Sequence, residues 1–113
     1  MHKTVAEATA FTAIFLPKVA DVTDAEIVLA PPLTALTAVT VACRSTRVAA
    51  AAQNVYWKRH GAFTGEVSAA MLQDAGASYV IIGHSERRQF FREDDTIVNR
   101  KLRASIDVGL IPI

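Results

Sequence analysis

Short apolar runs alternate along this chain with segments whose apolar residues recur at helical spacing. The runs that we predict as strands are residues 26–30, 47–53, 78–83 and 110–113, and the predicted helices are residues 4–20, 33–43, 69–75 and 93–108. A strand–helix order repeated in this way is typical of parallel strands joined by right-handed helical crossovers. We therefore expect an α/β fold, either a doubly wound open sheet or a piece of an eight-fold barrel. Both architectures place working residues at the carboxyl ends of their strands.

Composition and charge limit the classes of protein to which the chain can belong. It has 113 residues, so we expect one domain, and it is 51% hydrophobic with a formal net charge of +1. This near-neutral balance gives no reason to expect nucleic acid or an anionic membrane as a partner. The one cysteine, Cys43, excludes an intrachain disulfide, favours a reducing, cytoplasmic location and is expected to be a small buried hydrophobe. No apolar run approaches the length of a membrane helix, and residues 1–20 show no signal-peptide pattern.

The sequence carries none of the common motifs for nucleotide cofactors or metals. The chain has no Gly-x-Gly-x-x-Gly stretch and no Walker lysine, so a nucleotide cofactor is not expected. The histidines are too scattered along the chain to predict a metal site: His2, His60 and His84. Two basic pairs are expected to be solvated charge: Arg87–Arg88 and Arg100–Lys101.

The motif richest in candidate catalytic side chains is residues 83–88, Gly-His-Ser-Glu-Arg-Arg, at the end of the third predicted strand. A nucleophilic serine elbow needs Gly-x-Ser-x-Gly, but arginine stands where the second glycine belongs. We therefore interpret Ser85 as the N-cap of a helical turn that follows it. The start of a helix disfavours positive charge, so we expect a neutral ring at His84. A neutral imidazole can donate a hydrogen bond to a substrate carbonyl, which makes His84 the candidate catalytic residue.

Three stretches together resemble the triosephosphate isomerase family. They are residues 83–88, Ala-Pro-Pro at 30–32, and Ala-Gln-Asn at 52–54 followed by Gly-Ala-Phe-Thr-Gly-Glu-Val-Ser at 61–68. The resemblance implies a (β/α)8 TIM barrel, in which parallel strands alternate with helices. Residues 1–113 would form a single partial TIM-barrel domain, from the first helix to the start of the fifth strand.

The resemblance also implies roles for individual residues. His84 would be the electrophile, with Ser85 and Glu86 as supporting polar residues, and Glu93 would belong to a buried polar network. The loop of residues 54–68, which we call the arm, is long for a compact domain. By resemblance it would enter the partner subunit of a homodimer at its tip and make a charge pair across the interface. The residues implied at that interface are Thr64, Glu66, Arg87, Gln53 and Asn54.

The family reaction interconverts two small phosphorylated trioses, dihydroxyacetone phosphate and glyceraldehyde 3-phosphate, through an enediolate and without a cofactor. By resemblance, the family's substrate-binding lysine would stand just before Met1, and its catalytic glutamate and phosphate-binding loops would come after Ile113. We therefore expect Met1 to be internal to a longer protein and the chain alone to be inactive, with no certain substrate-binding residue in it. Two alternatives stay open. One is a truncated protein that docks on a full-length subunit through the arm around Thr64, and the other is an unrelated α/β sugar-phosphate enzyme.

Overall fold

A computed structural model describes residues 1–113. Its helices are α1 (Val5–Lys18), α2 (Leu33–Cys43), α3 (Ala69–Asp74), α4 (Ser85–Phe91) and α5 (Asp95–Ile106), and its strands are β1 (Val28–Leu29), β2 (Ala49–Ala52), β3 (Tyr79–Val80) and β4 (Ile111–Pro112). The strands form one parallel sheet in the order β1–β2–β3–β4. The predicted alternation of parallel strands and helices is therefore confirmed.

The regular strands are shorter than the predicted ones, but backbone pairing continues past β3. The Ile81 N–H donates to the Ala52 carbonyl at 2.8 Å, and the Ile82 N–H donates to the Ile113 carbonyl at 2.9 Å. The pairing ends at Gly83, whose φ of +66° turns the chain out of the sheet. This glycine therefore decides where the strand ends and where the residue after it points.

Helix α1 is stabilised by contacts at both of its ends. The Thr4 hydroxyl accepts from the Glu7 N–H at 3.3 Å, and the Glu7 carboxylate accepts from the Thr4 N–H at 2.7 Å, which is a reciprocal capping box. At the other end, the Val19 N–H donates to the Leu16 carbonyl, only three residues back. The last turn of the helix, which contains Pro17, is thus tightened.

One face of the sheet is covered by helices. Helix α1 packs against α2, and α2 packs against β2, whose four alanines leave room for close approach. The centre of this core is apolar and fully buried at Leu36, Val55, Leu72 and Val80. Cys43 is buried in the same core, so the prediction for this residue is confirmed.

The opposite face of the sheet is exposed towards its β4 edge, although Ala51 in β2 is fully buried. Ala51, Tyr79 and Ile111 are in register and point away from the helix-covered core, because side chains alternate along a strand. Ile111 and Ile113 are 50% and 61% exposed, and the Tyr79 hydroxyl donates to the Glu26 carboxylate across β2. A doubly wound sheet carries helices on both faces, whereas a barrel wall carries them only outside. This arrangement is therefore the arc of a barrel.

Candidate active site

His84 lies just beyond β3, at the turn that Gly83 creates. Helix α4 begins directly after it, and the His84 ring Nδ1 accepts a hydrogen bond from the Glu86 backbone N–H at 3.3 Å. The histidine side chain is therefore the N-cap of α4. The prediction that Ser85 is the N-cap is wrong, because the turn at Gly83 places the cap one residue earlier. Ser85 is instead the first helical residue, and it is exposed.

The cap hydrogen bond determines what the ring can do chemically. A ring nitrogen that accepts a hydrogen bond carries no proton, so a neutral His84 has its proton on Nε2. Glu86 Oε2 lies 3.7 Å from Nδ1 and would form an ion pair only with a protonated ring. The two side chains are 47% and 72% exposed, so water screens that pair. The neutral ring can present its Nε2–H to another molecule.

A cleft of about 460 Å³ opens beside His84, between the strand ends and the arm. The predicted site residues that line it are His84, Glu86, Arg87, Gln53, Asn54 and Glu66. Gln53 Nε2 also donates to the Ala30 carbonyl at 2.8 Å, which ties the end of β2 to the end of β1. The fold therefore brings together residues from three distant segments, while Ser85, Thr64 and Glu93 lie outside the lining.

The arm folds onto itself within one chain. The Tyr56 N–H donates to the Val67 carbonyl at 2.8 Å, which joins the two ends of the arm. The Tyr56 ring lies 4.7 Å from the Phe63 ring, centroid to centroid, and so supports the turn between those ends. Thr64 is exposed in this turn, and Glu66 is exposed where the arm meets the cleft. The tip of the arm is therefore available for contact with another molecule.

A buried ionic network lies behind the cleft. Glu93 Oε1 accepts from Arg87 Nε at 2.6 Å and from Lys101 Nζ at 2.5 Å, and Lys101 Nζ also donates to Asn54 Oδ1 at 2.6 Å. Burial by itself would raise the pKa of the Glu93 carboxyl, but hydrogen bonds from Lys101 and Arg87 outweigh it and hold that pKa below its usual range. The other carboxylate oxygen, Oε2, is buried without a partner in this chain.

Lys101 is the member of this network that the sequence analysis misses. The prediction of solvated charge at Arg100 and Lys101 is wrong for Lys101, whose side chain is only 4% exposed. Arg100 does reach solvent, with its guanidinium over the Trp57 ring. No pattern in the single sequence identifies Lys101, because the acceptors that make its burial tolerable, Glu93 and Asn54, lie eight and 47 residues away.

The comparisons with known proteins agree with this geometry. The family model described as "Triosephosphate isomerase" matches residues 1–113. The chain belongs to this family. Triosephosphate isomerase from Symbiobacterium thermophilum is 57% identical over 113 residues, which are 100% of this chain and 44% of that protein. Triosephosphate isomerase from Synechococcus sp. (strain CC9902) is 49% identical over 114 residues, which are 100% of this chain and 47% of that protein.

A solved structure extends the likeness to the fold. The crystal structure of triosephosphate isomerase from Bartonella henselae superposes with a TM-score of 0.90 at 33% sequence identity, over 99% of this chain and 46% of that one. The fold class predicted from the sequence, part of a TIM barrel, is therefore confirmed. The chain spans about half the length of the curated relatives it matches. None of its helices has the length and apolar character needed to cross a membrane.

Proposed function

We propose that this chain supplies the carbonyl-polarising part of a triosephosphate isomerase site. The observation that carries the proposal is the hydrogen bond from the Glu86 N–H to His84 Nδ1, which leaves the ring proton on Nε2. His84 Nε2–H would donate to the carbonyl oxygen of dihydroxyacetone phosphate or glyceraldehyde 3-phosphate bound at the strand ends. Ser85 and Glu86 would support the histidine from the first turn of α4.

The chemistry is a proton transfer between two adjacent carbons of the substrate. When a base removes a proton from the carbon next to the carbonyl, negative charge develops on the carbonyl oxygen, and a donor already aimed at it lowers the barrier. His84 is such a donor, but a neutral imidazole with Nδ1 occupied is not a base towards carbon. The base would be the family's glutamate, from the half of the barrel that these residues do not span. We infer that residues 1–113 by themselves are inactive and that the reaction needs no cofactor or metal.

The arm and the cleft suggest how subunits would meet. The arm tip at Thr64 is exposed, and the cleft is lined by Gln53, Asn54, Glu66 and Arg87. In a homodimer, the arm of each subunit would enter the cleft of the other, and Glu66 would pair with Arg87 across the interface. Within one chain the Arg87 guanidinium already donates to Glu93 through Nε, so its remaining nitrogens would serve the partner.

A complete chimera tests the catalytic proposal. It is the Symbiobacterium thermophilum enzyme with its matching residues replaced by these 113, which are 57% identical to them. We expect triose isomerase activity, and we expect His84→Asn to lower kcat by about a hundredfold to a thousandfold with a smaller change in KM. A folded chimera that is inactive, or one indifferent to His84→Asn, would contradict the proposal. The isolated chain should show no rate above that of free imidazole.

A second candidate function is docking without catalysis. It is favoured by the hydrogen bond from the Tyr56 N–H to the Val67 carbonyl, which joins the ends of the arm without any residue from a second chain. A chain with an ordered arm could occupy the cleft of a full-length subunit. Mixing the isolated chain with the Symbiobacterium thermophilum enzyme and following sedimentation would then show a mixed species. The same mixture with Thr64→Arg in the isolated chain is the control, since it should abolish that species.

A further inference from the structure

The turn at Gly83, just before His84, is packed tightly against side chains of the two helices that follow it. Gly83 has a φ of +66°, and a Cβ built on it would lie 3.0 Å from Val98 Cγ2 and 3.4 Å from Arg88 Nη2. Val98 belongs to α5 and Arg88 to α4, so both helices after the turn press against the same glycine. The direction in which the chain leaves the sheet is therefore restrained by two side chains, neither of which lines the cleft.

Arg88 also makes the one hydrogen bond that this chain offers to the Gly83 carbonyl. No backbone N–H donates to that oxygen, whereas Arg88 Nε donates to it at 3.0 Å. Arg88 Nη1 donates to Asp95 Oδ1 at 2.8 Å, at the first residue of α5. A guanidinium holds its donors in a rigid plane. The hydrogen bond to Asp95 therefore helps to fix the position of the guanidinium, and with it the hydrogen bond to the Gly83 carbonyl.

The Gly83 carbonyl belongs to the peptide group whose nitrogen is that of His84. Holding this peptide plane restrains the φ of His84, observed at −52°, and with it the approach of Nδ1 to the Glu86 N–H. We propose that Arg88 is a positioning residue for His84, and this inference rests on the function proposed above. Arg88 does not line the cleft, so it acts through the histidine and not on the substrate.

The test is a double-mutant cycle in the complete chimera. Arg88→Met keeps the length of the side chain but removes its donors, and we expect kcat to fall by about tenfold to a hundredfold with little change in KM. The same substitution in a His84→Asn background should change kcat by less than about twofold, because the group that Arg88 positions is gone. Arg88→Lys should restore part of kcat, since an ammonium can reach only one of the two acceptors at a time.

Two further measurements separate positioning from folding. The ¹⁵N chemical shifts of the His84 ring should show Nδ1 as the acceptor in the parent and a mixture of tautomers in Arg88→Met. Asp95→Ala removes the acceptor of Arg88 Nη1 at a side chain that is 95% exposed, so it should leave folding intact and lower kcat in the same direction by a smaller factor. Arg103→Met, an exposed arginine elsewhere on α5, is the matched control and should leave kcat within about twofold.

The outcomes distinguish a failure of the positioning role of Arg88 from a failure of the function proposed for His84. If His84→Asn is harmless, the proposed function fails and this inference fails with it. If His84→Asn is costly while Arg88→Met leaves kcat and the ring shifts unchanged, only the positioning role is overturned. An equal loss from Arg88→Met in both backgrounds would also overturn it, because that result describes general damage to the fold. If Arg88→Met fails to fold, Asp95→Ala is the substitute test, and unchanged kcat and ring shifts in that variant would overturn the proposal.

Discussion

Lys101 Nζ lies 2.5 Å from Glu93 Oε1, and both side chains are excluded from solvent. The pair links the segment after α4 to the face of α5, and Lys101 extends the link to Asn54 at the start of the arm. The cleft wall, the helix that follows His84 and the arm therefore share one buried ionic centre. Removing the charge of Glu93 or of Lys101 alone should be costly, because the other side chain then stays charged in a buried site.

Lys101→Met in the complete chimera should lower the free energy of unfolding by about 3–5 kcal/mol, since it leaves the buried Glu93 carboxylate without its closest cation. Denaturant unfolding at constant m-value is the measurement. Removing both charges in Lys101→Met/Glu93→Leu should recover much of the loss, because no unpaired buried charge then remains. A single-variant loss below about 1 kcal/mol would show that the pair contributes no more than a surface pair does.

The stability of the fold should depend on pH through Glu93. Its folded-state pKa lies below the ordinary value of 4.5, so the ionised carboxylate stabilises the fold above pH 4.5, and that contribution is lost as the pH falls through the folded-state pKa. The Glu93→Gln variant of the complete chimera should therefore have a lower free energy of unfolding than the unsubstituted chimera at about pH 7. The difference between the two free energies should shrink towards about pH 3. Unfolding free energies of both proteins across that range provide the check, and a difference independent of pH would contradict the assignment.

Gly83→Ala should be more destabilising than the same change at another left-handed glycine. Gly109 has a φ of +83° with nothing within 4 Å of a built Cβ, so Gly109→Ala should cost only backbone strain, about 1 kcal/mol. At Gly83 the new methyl meets Val98 Cγ2 at 3.0 Å, which should add about 1–3 kcal/mol. The double variant Gly83→Ala/Val98→Ala isolates that contact by its free energy of unfolding. If both Gly→Ala variants lose the same free energy of unfolding, the Val98 side chain moves aside without a measurable cost.

Thr64→Arg should weaken the proposed homodimer of the complete chimera by about tenfold or more in Kd, because a long cation would replace a small side chain at the arm tip. Sedimentation velocity over a range of concentrations measures the shift. Thr23→Arg is the matched control, since Thr23 is also exposed but precedes β1 at the other end of the strands. An unchanged dimer in Thr64→Arg would place the arm outside the interface.

Patterns of short range in the sequence were enough to predict the elements and the location of the site. Alternating strand and helix periods predicted the parallel sheet, and the end of an apolar run beside a glycine predicted that His84 would stand at a strand end. Cys43 was predicted as a buried hydrophobe, because a small apolar residue in an apolar helix needs no particular partner. These features depend on residues that are neighbours along the chain, so a single sequence contains them.

The tertiary structure decided the features that depend on partners far apart in sequence. It also decided those that depend on a backbone turn packed against another element. Lys101 is buried because Glu93 and Asn54, eight and 47 residues away, supply the acceptors that make a buried ammonium tolerable. His84, and not Ser85, caps α4 because the left-handed turn at Gly83, packed against Val98, sets which side chain faces the first free N–H groups. The sequence by itself therefore determined the family, the order of the elements and the residue types available for chemistry. Only the packing of the elements decided which of those residues share one cleft and which charges lie buried, since burial and pairing depend on distances in space.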